Sequence, residues 1–484
     1  MLGQQERWQE DLFVAGSLRD LIPEDHILRR VDRVLDLGWL RDAVADCYCE
    51  DNGRPGIDPE AALRLMLAGF LLGIVHDRKL MREVQVNLAI RWFAGYRLHE
   101  SLPNHSSLTL IRQRWGEKRF REIFERTARS CVDAGVASGE VVHIDATLIR
   151  ANVSWDSLVA SHTSAVIEEN AEVCAQPKRK TGKRISVTDP DASLAKADRR
   201  VQAQPSYKQH TAVDDRAGVI LDVELTTGEI NEGDLVEPHI RNITRVTGRT
   251  IDVLTADAGY AYAKVYQVAE QYGVDPIVPP KAEPPPKSKV PLRRFKYDAR
   301  HELVRCPAGK AMRRSARAPH GWFYRATVAD CRHCPLRRDC LPRPHGSRAV
   351  VISDGYDALL RARRRRPRWT AIEYTHYRRH RWRAEGVHAE AKVQHGLRRA
   401  VRRGRWNVAV QAYLTAAAIN LKRLAAFARF FVRVVLFETV VRAVAAQGSS
   451  TVRRCTAGFS LSGRPIRWHP GSPLIRRRTP PGCR

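Results

Sequence analysis

The sequence predicts a mixed α/β protein: a sheet flanked by helices, preceded by an all-α N-terminal domain and interrupted by a small cysteine-rich insertion. Three observations predict it. Through residues 1–138 the apolar residues recur at helical spacing. From Val141 onward, short apolar runs and helical stretches follow the order strand, hairpin, helix, strand, helix, strand. Four cysteines, Cys306, Cys331, Cys334 and Cys340, then gather in a short basic segment.

In the N-terminal part, Leu18, Leu21 and Ile22, then Ile27, Val31, Val34 and Leu35, keep a helical period. Pro59 opens a further helix with Asp58 as its N-cap, because proline is tolerated in a first turn and a short acid accepts its free N–H groups. The polar turn Pro103–Ser107 opens one more, LTLIRQRWGEKRFREIFERTAR. A helix, a polar turn and a basic helix make either a DNA-reading helix-turn-helix or an ordinary helix pair.

The strands come next. VVHIDATLI is a β-type run that carries Asp145, and YKQHTAVDD and VILDVELTT form a hairpin around Asp214–Gly218. LVEPHIRNITRVTG reads as a helix, TIDVLTAD as a strand ending at Asp257, Ala261–Tyr272 as a helix and DPIVP as a short strand. Residues 155–205 are polar, lysine-rich and poor in bulky apolar groups, which reads as a long loop or insert. The expected organisation is a helical DNA-binding domain over 1–138, a first catalytic part over 139–278, a Pro-rich linker and cysteine insertion over 279–370, a second catalytic part over 371–446 and a disordered basic tail over 447–484.

The chain has 484 residues, 43% of them apolar, enough for a sizeable core. Its 82 basic and 53 acidic residues leave a formal charge of +29, which favours a polyanionic partner such as nucleic acid. The most apolar stretches, Ala61–Val75 and Leu424–Val444, are short or broken by arginine, so no membrane span and no secretory leader is expected, and the chain reads as cytoplasmic. In such a chain ten cysteines do not make a disulfide scaffold. Cys331-x-x-Cys334, with Cys306 before it and Cys340 after it, suits a closed tetrahedral structural Zn²⁺ site, with His333 and His320 as substitute ligands.

Asp145 and Asp257 each end an apolar strand, where ligand sites gather on an open sheet. Glu385 lies in the basic helix HYRRHRWRAEGVHAEAKVQHGLRRA, which brings a third carboxylate if that helix packs across the sheet. Such a cluster suits Mg²⁺ or Mn²⁺, and two ions could serve a phosphodiester displacement. Asp252 lies inside its strand, and Glu390, five residues after Glu385, is turned to another face. The arginine runs 361–368 and 398–405 are either phosphate contacts or solvated stretches.

HIDATLIRANVS, LTADAGY and the Glu385 helix together resemble the three acidic motifs of the DDE transposases of bacterial insertion sequences. In the third motif Arg381 stands four before Glu385 and Lys392 seven after it, as that family has them; Tyr377 stands four before Arg381, one residue further than the commonest form. The resemblance implies a ribonuclease-H-like fold. It implies Asp145, Asp257 and Glu385 as catalytic metal ligands, and Arg381, Lys392 and Tyr377, with Arg398 and Arg399, as DNA contacts. It further implies a protein that binds terminal inverted repeats and target DNA as a homodimer, and cuts and joins strands. Two other readings stay open: a metal-dependent nuclease of the same fold that joins nothing, and a decayed copy that only binds DNA.

Overall fold

The computed structural model describes residues 16–49, 56–154, 158–160, 184–196, 202–281, 289–341 and 345–446. Most of the polar insert and the whole of the expected tail lie outside the described residues. The chain divides after Arg429 into two units, and the sheet, the insertion and the N-terminal helices all belong to the first. No helix among the described residues is long and apolar enough to cross a membrane.

The strands are β1 Val141–Arg150, β2 Leu158–Ala160, β3 Arg184–Ser186, β4 Ser193–Ala195, β5 Gln204–Asp214, β6 Ile220–Thr227, β7 Val253–Thr255 and β8 Asp275–Ile277. Six of them form the central sheet, in the order β6-β5-β1-β7-β8 with the short β4 also on β5. β1 runs antiparallel to β5 and parallel to β7, and β7 runs parallel to β8. Three antiparallel strands followed by two parallel ones joined through helices is the ribonuclease-H-like arrangement that the sequence led us to expect. The hairpin turn falls at Gly218, where φ is +70° and glycine carries no penalty. Between the sheet's strands lie the helices Val236–Thr247, which ends at left-handed Gly248, and Ala263–Gln271.

The N-terminal helices are Ile27–Asp32, Leu40–Val44, Pro59–Leu71, Asp77–Val86, Leu88–Phe93 and His105–Asp133. Asp58 caps its helix by accepting from the N–H groups of Glu60 and Ala61, and Asn104 caps the last by accepting from Ser106. The long helix is broken at Gly116, with φ 70° and ψ 172°. The sequence reads straight through this point, because glycine interrupts neither the apolar period nor the charge pattern; only its freedom at positive φ allows the break. These helices share one core with Ile149, Tyr207, Val213 and Ile220 of the sheet and with Val387–Ala425. Asp77 locks the joint: buried Arg112 and partly buried Arg402 both donate to its carboxylate.

The insertion lies between β8 and the helix Ala371–His380. It is a five-stranded sheet, β9 Lys296–Asp298, β10 Leu303–Arg305, β11 Ala311–Ala318, β12 Gly321–Arg325 and β13 Ala349–Ser353, with the short helices Val328–Arg332 and Arg337–Cys340. Helix Ala371–His380 starts on a capping box between Thr370 and Glu373. It then widens into a π-helical turn over Arg381–Glu385 and resumes as Gly386–Gln394. The last helix is Arg405–Ala446.

Candidate active site

Because successive side chains on a strand alternate, His143, Asp145 and Thr147 share one face of β1 while Val142 and Ile144 enter the core. β1 and β7 are parallel with His143 opposite Thr255. The pairing and β7 both end there, and Asp257, two residues further on, lies within reach of the charge of Asp145. Asp257 leaves the strand as the cap of the turn Ala258–Tyr260, one oxygen accepting from Gly259 N–H at 2.7 Å. Burial raises the pKa of its carboxyl, and the charge of Asp145 raises it further. Burial pushes Asp145 upward too, but His388 outweighs it and leaves that carboxyl below its ordinary value. His388 Nδ1 lies 3.3 Å from Asp145 Oδ2, and its buried Nε2 has no partner among the described residues.

Beneath the pair runs a chain of polar contacts that ties the helix to the sheet. Arg379 donates to Asp215 at 2.5 Å, and Asp215 meets His143 at 3.0 Å. His143 shares a hydrogen bond of 2.6 Å with the Thr255 hydroxyl, which lies 3.1 Å from His380 Nδ1. Burial holds the His380 pKa down to about 4, so the ring is neutral at ordinary pH.

Of the expected residues, the structure brings Asp145 and Asp257 together. Glu385 sits on the π-helical turn with its side chain 61% exposed, 3.2 Å from Arg381 Nε. Lys392 is half-buried; burial lowers its pKa, as does Arg398, while Asp145 opposes them. Lys392 and Arg398 line a groove of about 730 Å³ that starts at Ala146, beside Asp145, and also takes in Arg150, Lys208 and Glu232. Arg399 pairs through its backbone with Arg150 at the end of β1. Tyr377 packs against Trp369, ring centres 5.7 Å apart. Glu390 is turned away to Lys422 and Arg423, as its helical offset requires.

The basic runs are partly spoken for. Arg361 holds Glu270 and Asp357, Arg365 holds Asp275 and Glu373, and Arg403 donates to the Asn152 carbonyl.

Cys306, Cys331, Cys334 and Cys340 all line one cavity of about 20 Å³. That is room for about one ion-sized guest. Burial raises the Cys340 thiol pKa, and the other three cysteines add to it. Among the described residues, however, no group of three or more His, Cys, Asp or Glu side chains stands at metal-holding spacing. The expected zinc thus has its four sulfurs around one cavity but not a formed coordination shell, and the expected Asp145, Asp257 and Glu385 set is not gathered at metal-holding spacing either.

His388 and Glu232 escape the sequence reading. His388 lies three after Glu385 and four before Lys392, a helical spacing that could have flagged it. Glu232 lies in a turn 25 positions before Asp257, with no periodicity to mark it.

Residues 16–114 match a family described as a transposase domain (DUF772), and residues 305–425 match one described as a transposase DDE domain. No curated protein matches the chain significantly. Among solved structures, the chain is similar to piggyBac transposase in a synaptic complex with hairpin DNA, at 9% identity and a TM-score of 0.30, over 84% of this chain and 73% of that one. It is also similar to Mos1 transposase in a paired-end complex with the left transposon end, at 12% identity and a TM-score of 0.16 over 49% of this chain, spanning just under two thirds (65%) of the Mos1 chain. Likenesses this slight add nothing to what the sheet order already says of the fold.

Proposed function

We propose that the chain is a transposase of the DDE type, as its two matching domains suggest, and that it binds the inverted repeats at the ends of its own element, cuts them to expose 3′-hydroxyls and joins these to target DNA. The observation that carries this reading is that Asp145 and Asp257 lie within reach of each other's charge, next to a cation-lined groove that takes in Ala146, in a chain of net charge +29.

In this reading Asp145 and Asp257 hold Mg²⁺ or Mn²⁺, with Glu385 as the third carboxylate. The pair fits divalent cations because its two acids burden each other and have few cationic partners of their own. A bound ion pair supplies the charge that activates an attacking oxygen and steadies the leaving one. The chain's residues do the rest. His388 orients Asp145. Lys392 and Arg398 neutralise phosphates along the groove, and Arg381, Tyr377 and Arg399 extend that contact. Four cysteines around one cavity support a structural zinc held by Cys306, Cys331, Cys334 and Cys340, and we extend the reading to a homodimer on paired ends.

The test is cleavage of labelled element ends by purified protein in Mg²⁺. Asp257→Asn is expected to lower the rate by roughly 1000-fold, the equivalent of about 4 kcal/mol of barrier, while end binding persists. Cleavage that survives the substitution would sink the proposal, and cutting without joining would leave only a nuclease.

A further inference from the structure

A third carboxylate faces Asp257, and it is not Glu385. Glu232 opens the turn Glu232–Leu235, which Asn231 caps by accepting from Gly233 N–H at 2.9 Å. That turn lies against the one Asp257 begins, and Gly259 is the point where they meet. A methyl group placed on Gly259 would stand 2.6 Å from Asp257 Oδ1 and 3.2 Å from Glu232 Oε2. Only a residue without a side chain lets the two carboxylates close over that spot, and both oxygens look onto it. The other oxygen of Glu232 meets Lys208 Nζ at 3.3 Å, and the same ammonium donates to the Ile230 carbonyl at 2.9 Å.

A second observation points to a guest. The Tyr260 side chain is fully buried, and its hydroxyl has no hydrogen-bond partner among the described residues. The charges around it are those of Asp145, Glu232 and Asp257, which, after burial itself, hold its proton on. A buried hydroxyl without a partner costs about 1–3 kcal/mol, and the like charge that, after burial, raises the Asp257 pKa is only partly offset by Lys281 at the Gly259 carbonyl and by Lys208 on Glu232. Both defects are removed together when a hydrated divalent cation occupies the space between them.

We propose that Glu232 is a ligand of the divalent-cation site that Asp257 helps to form, with Lys208 as its counter-ion while that site lacks a cation. The proposal rests on the reading of Asp145 and Asp257 as metal ligands. It adds a carboxylate from the turn before helix Val236–Thr247 to the residues that would hold the cation.

The test is direct Mn²⁺ binding to the full chain without DNA, followed by electron paramagnetic resonance, with thermal melts to check the fold. Glu232→Gln is expected to weaken Mn²⁺ binding by about 10- to 100-fold, the scale on which partners of a metal site act. Glu232→Asp, which keeps the charge on a shorter arm, should recover part of the loss. Lys208→Met should bind Mn²⁺ as tightly as the parent or more so. If Glu232 merely pairs with Lys208, the Gln and Met variants will lose thermal stability alike and both will keep the parent's Mn²⁺ affinity; that result overturns the proposal. Asp257→Asn separates the two assignments. If it abolishes Mn²⁺ binding while Glu232→Gln leaves it intact, Glu232 alone is misassigned. If Asp257→Asn also leaves it intact, the metal reading of the acid pair fails.

Discussion

Two groups of acids hang on the central sheet, and they are neutralised in different ways. Around Asp222 of β6, the protein supplies its own positive charge. Arg121 reaches Asp222 at 3.1 Å, Glu224 at 2.9 Å and Glu125 at 3.0 Å; His239 meets Asp222 at 2.7 Å, Asn242 donates to both Asp222 and Glu224, and Arg245 reaches Glu125 at 2.5 Å. In the other group Asp145, mid-way along β1, has one imidazole at 3.3 Å, and Asp257 has the Gly259 N–H, with Lys281 nearby on the Gly259 carbonyl. The first group is complete as protein. The second is only partly balanced by the chain's own His388 and Lys281. A carboxylate that has its cations within the chain serves the fold, and one left short of them is placed for a ligand.

Substitutions should separate the two groups sharply. The largest effect on stability is expected from Asp222→Ala, which leaves partly buried Arg121 and fully buried His239 without their acid; breaking a buried pair in this way costs about 3–5 kcal/mol. Urea melts would measure it, and a loss below ~1 kcal/mol would erase the distinction between the groups. Asp257→Asn should do the reverse and stabilise the metal-free protein near neutral pH. The sign follows from linkage. Asp257 has a raised pKa in the fold, so the folded state holds that proton more tightly, and stability falls as pH rises from the ordinary carboxylate range through the raised value. The asparagine variant lacks this fall, so its advantage over the parent should widen with pH in that window; a gap that narrows would contradict the account. Asp215 gives the opposite sign. Burial raises its pKa, but His143 and Arg379 more than offset this and hold it at about 2, so its contribution is present above the ordinary carboxylate pKa and is lost as pH falls toward 2. The smallest effect on folding should come from Arg381→Ala. Its pair with Glu385 is exposed on both sides and is worth at most about 0.5 kcal/mol. If Arg381 instead meets a phosphate, the salt dependence of end binding should drop by about one charge.

The same contrast shows what the sequence makes legible. Asp257 follows the end of its apolar run as expected, whereas Asp145 stands mid-way along β1 rather than at its end, and alternation alone puts it on the polar face. Asp222 is equally an acid in a strand, and nothing local distinguishes it, because its partner Arg121 lies 101 residues away in the chain. The arginine runs mislead for the same reason. Their charge reads as a surface for phosphate, yet Arg361 and Arg365 are taken up by Glu270 and Asp275, acids of the sheet's own helix and edge strand. Sequence pattern carries periodicity and local spacing well. It carries poorly the pairing of charges brought together only by the topology, and Glu232 beside Asp257 is the sharpest instance.

The widened turn at Arg381–Glu385 acts as a phase correction. His380 and His388 are eight residues apart, which in an unbroken α-helix would leave them about 80° out of line. Yet both bear on Asp145. One surplus residue, absorbed in a turn of longer reach, brings them back into step, and the excess is carried outward where Trp382 stands 82% exposed. Glu385 closes that turn. Its carboxylate faces outward to Arg381, while the imidazoles on either side keep their hold on the sheet.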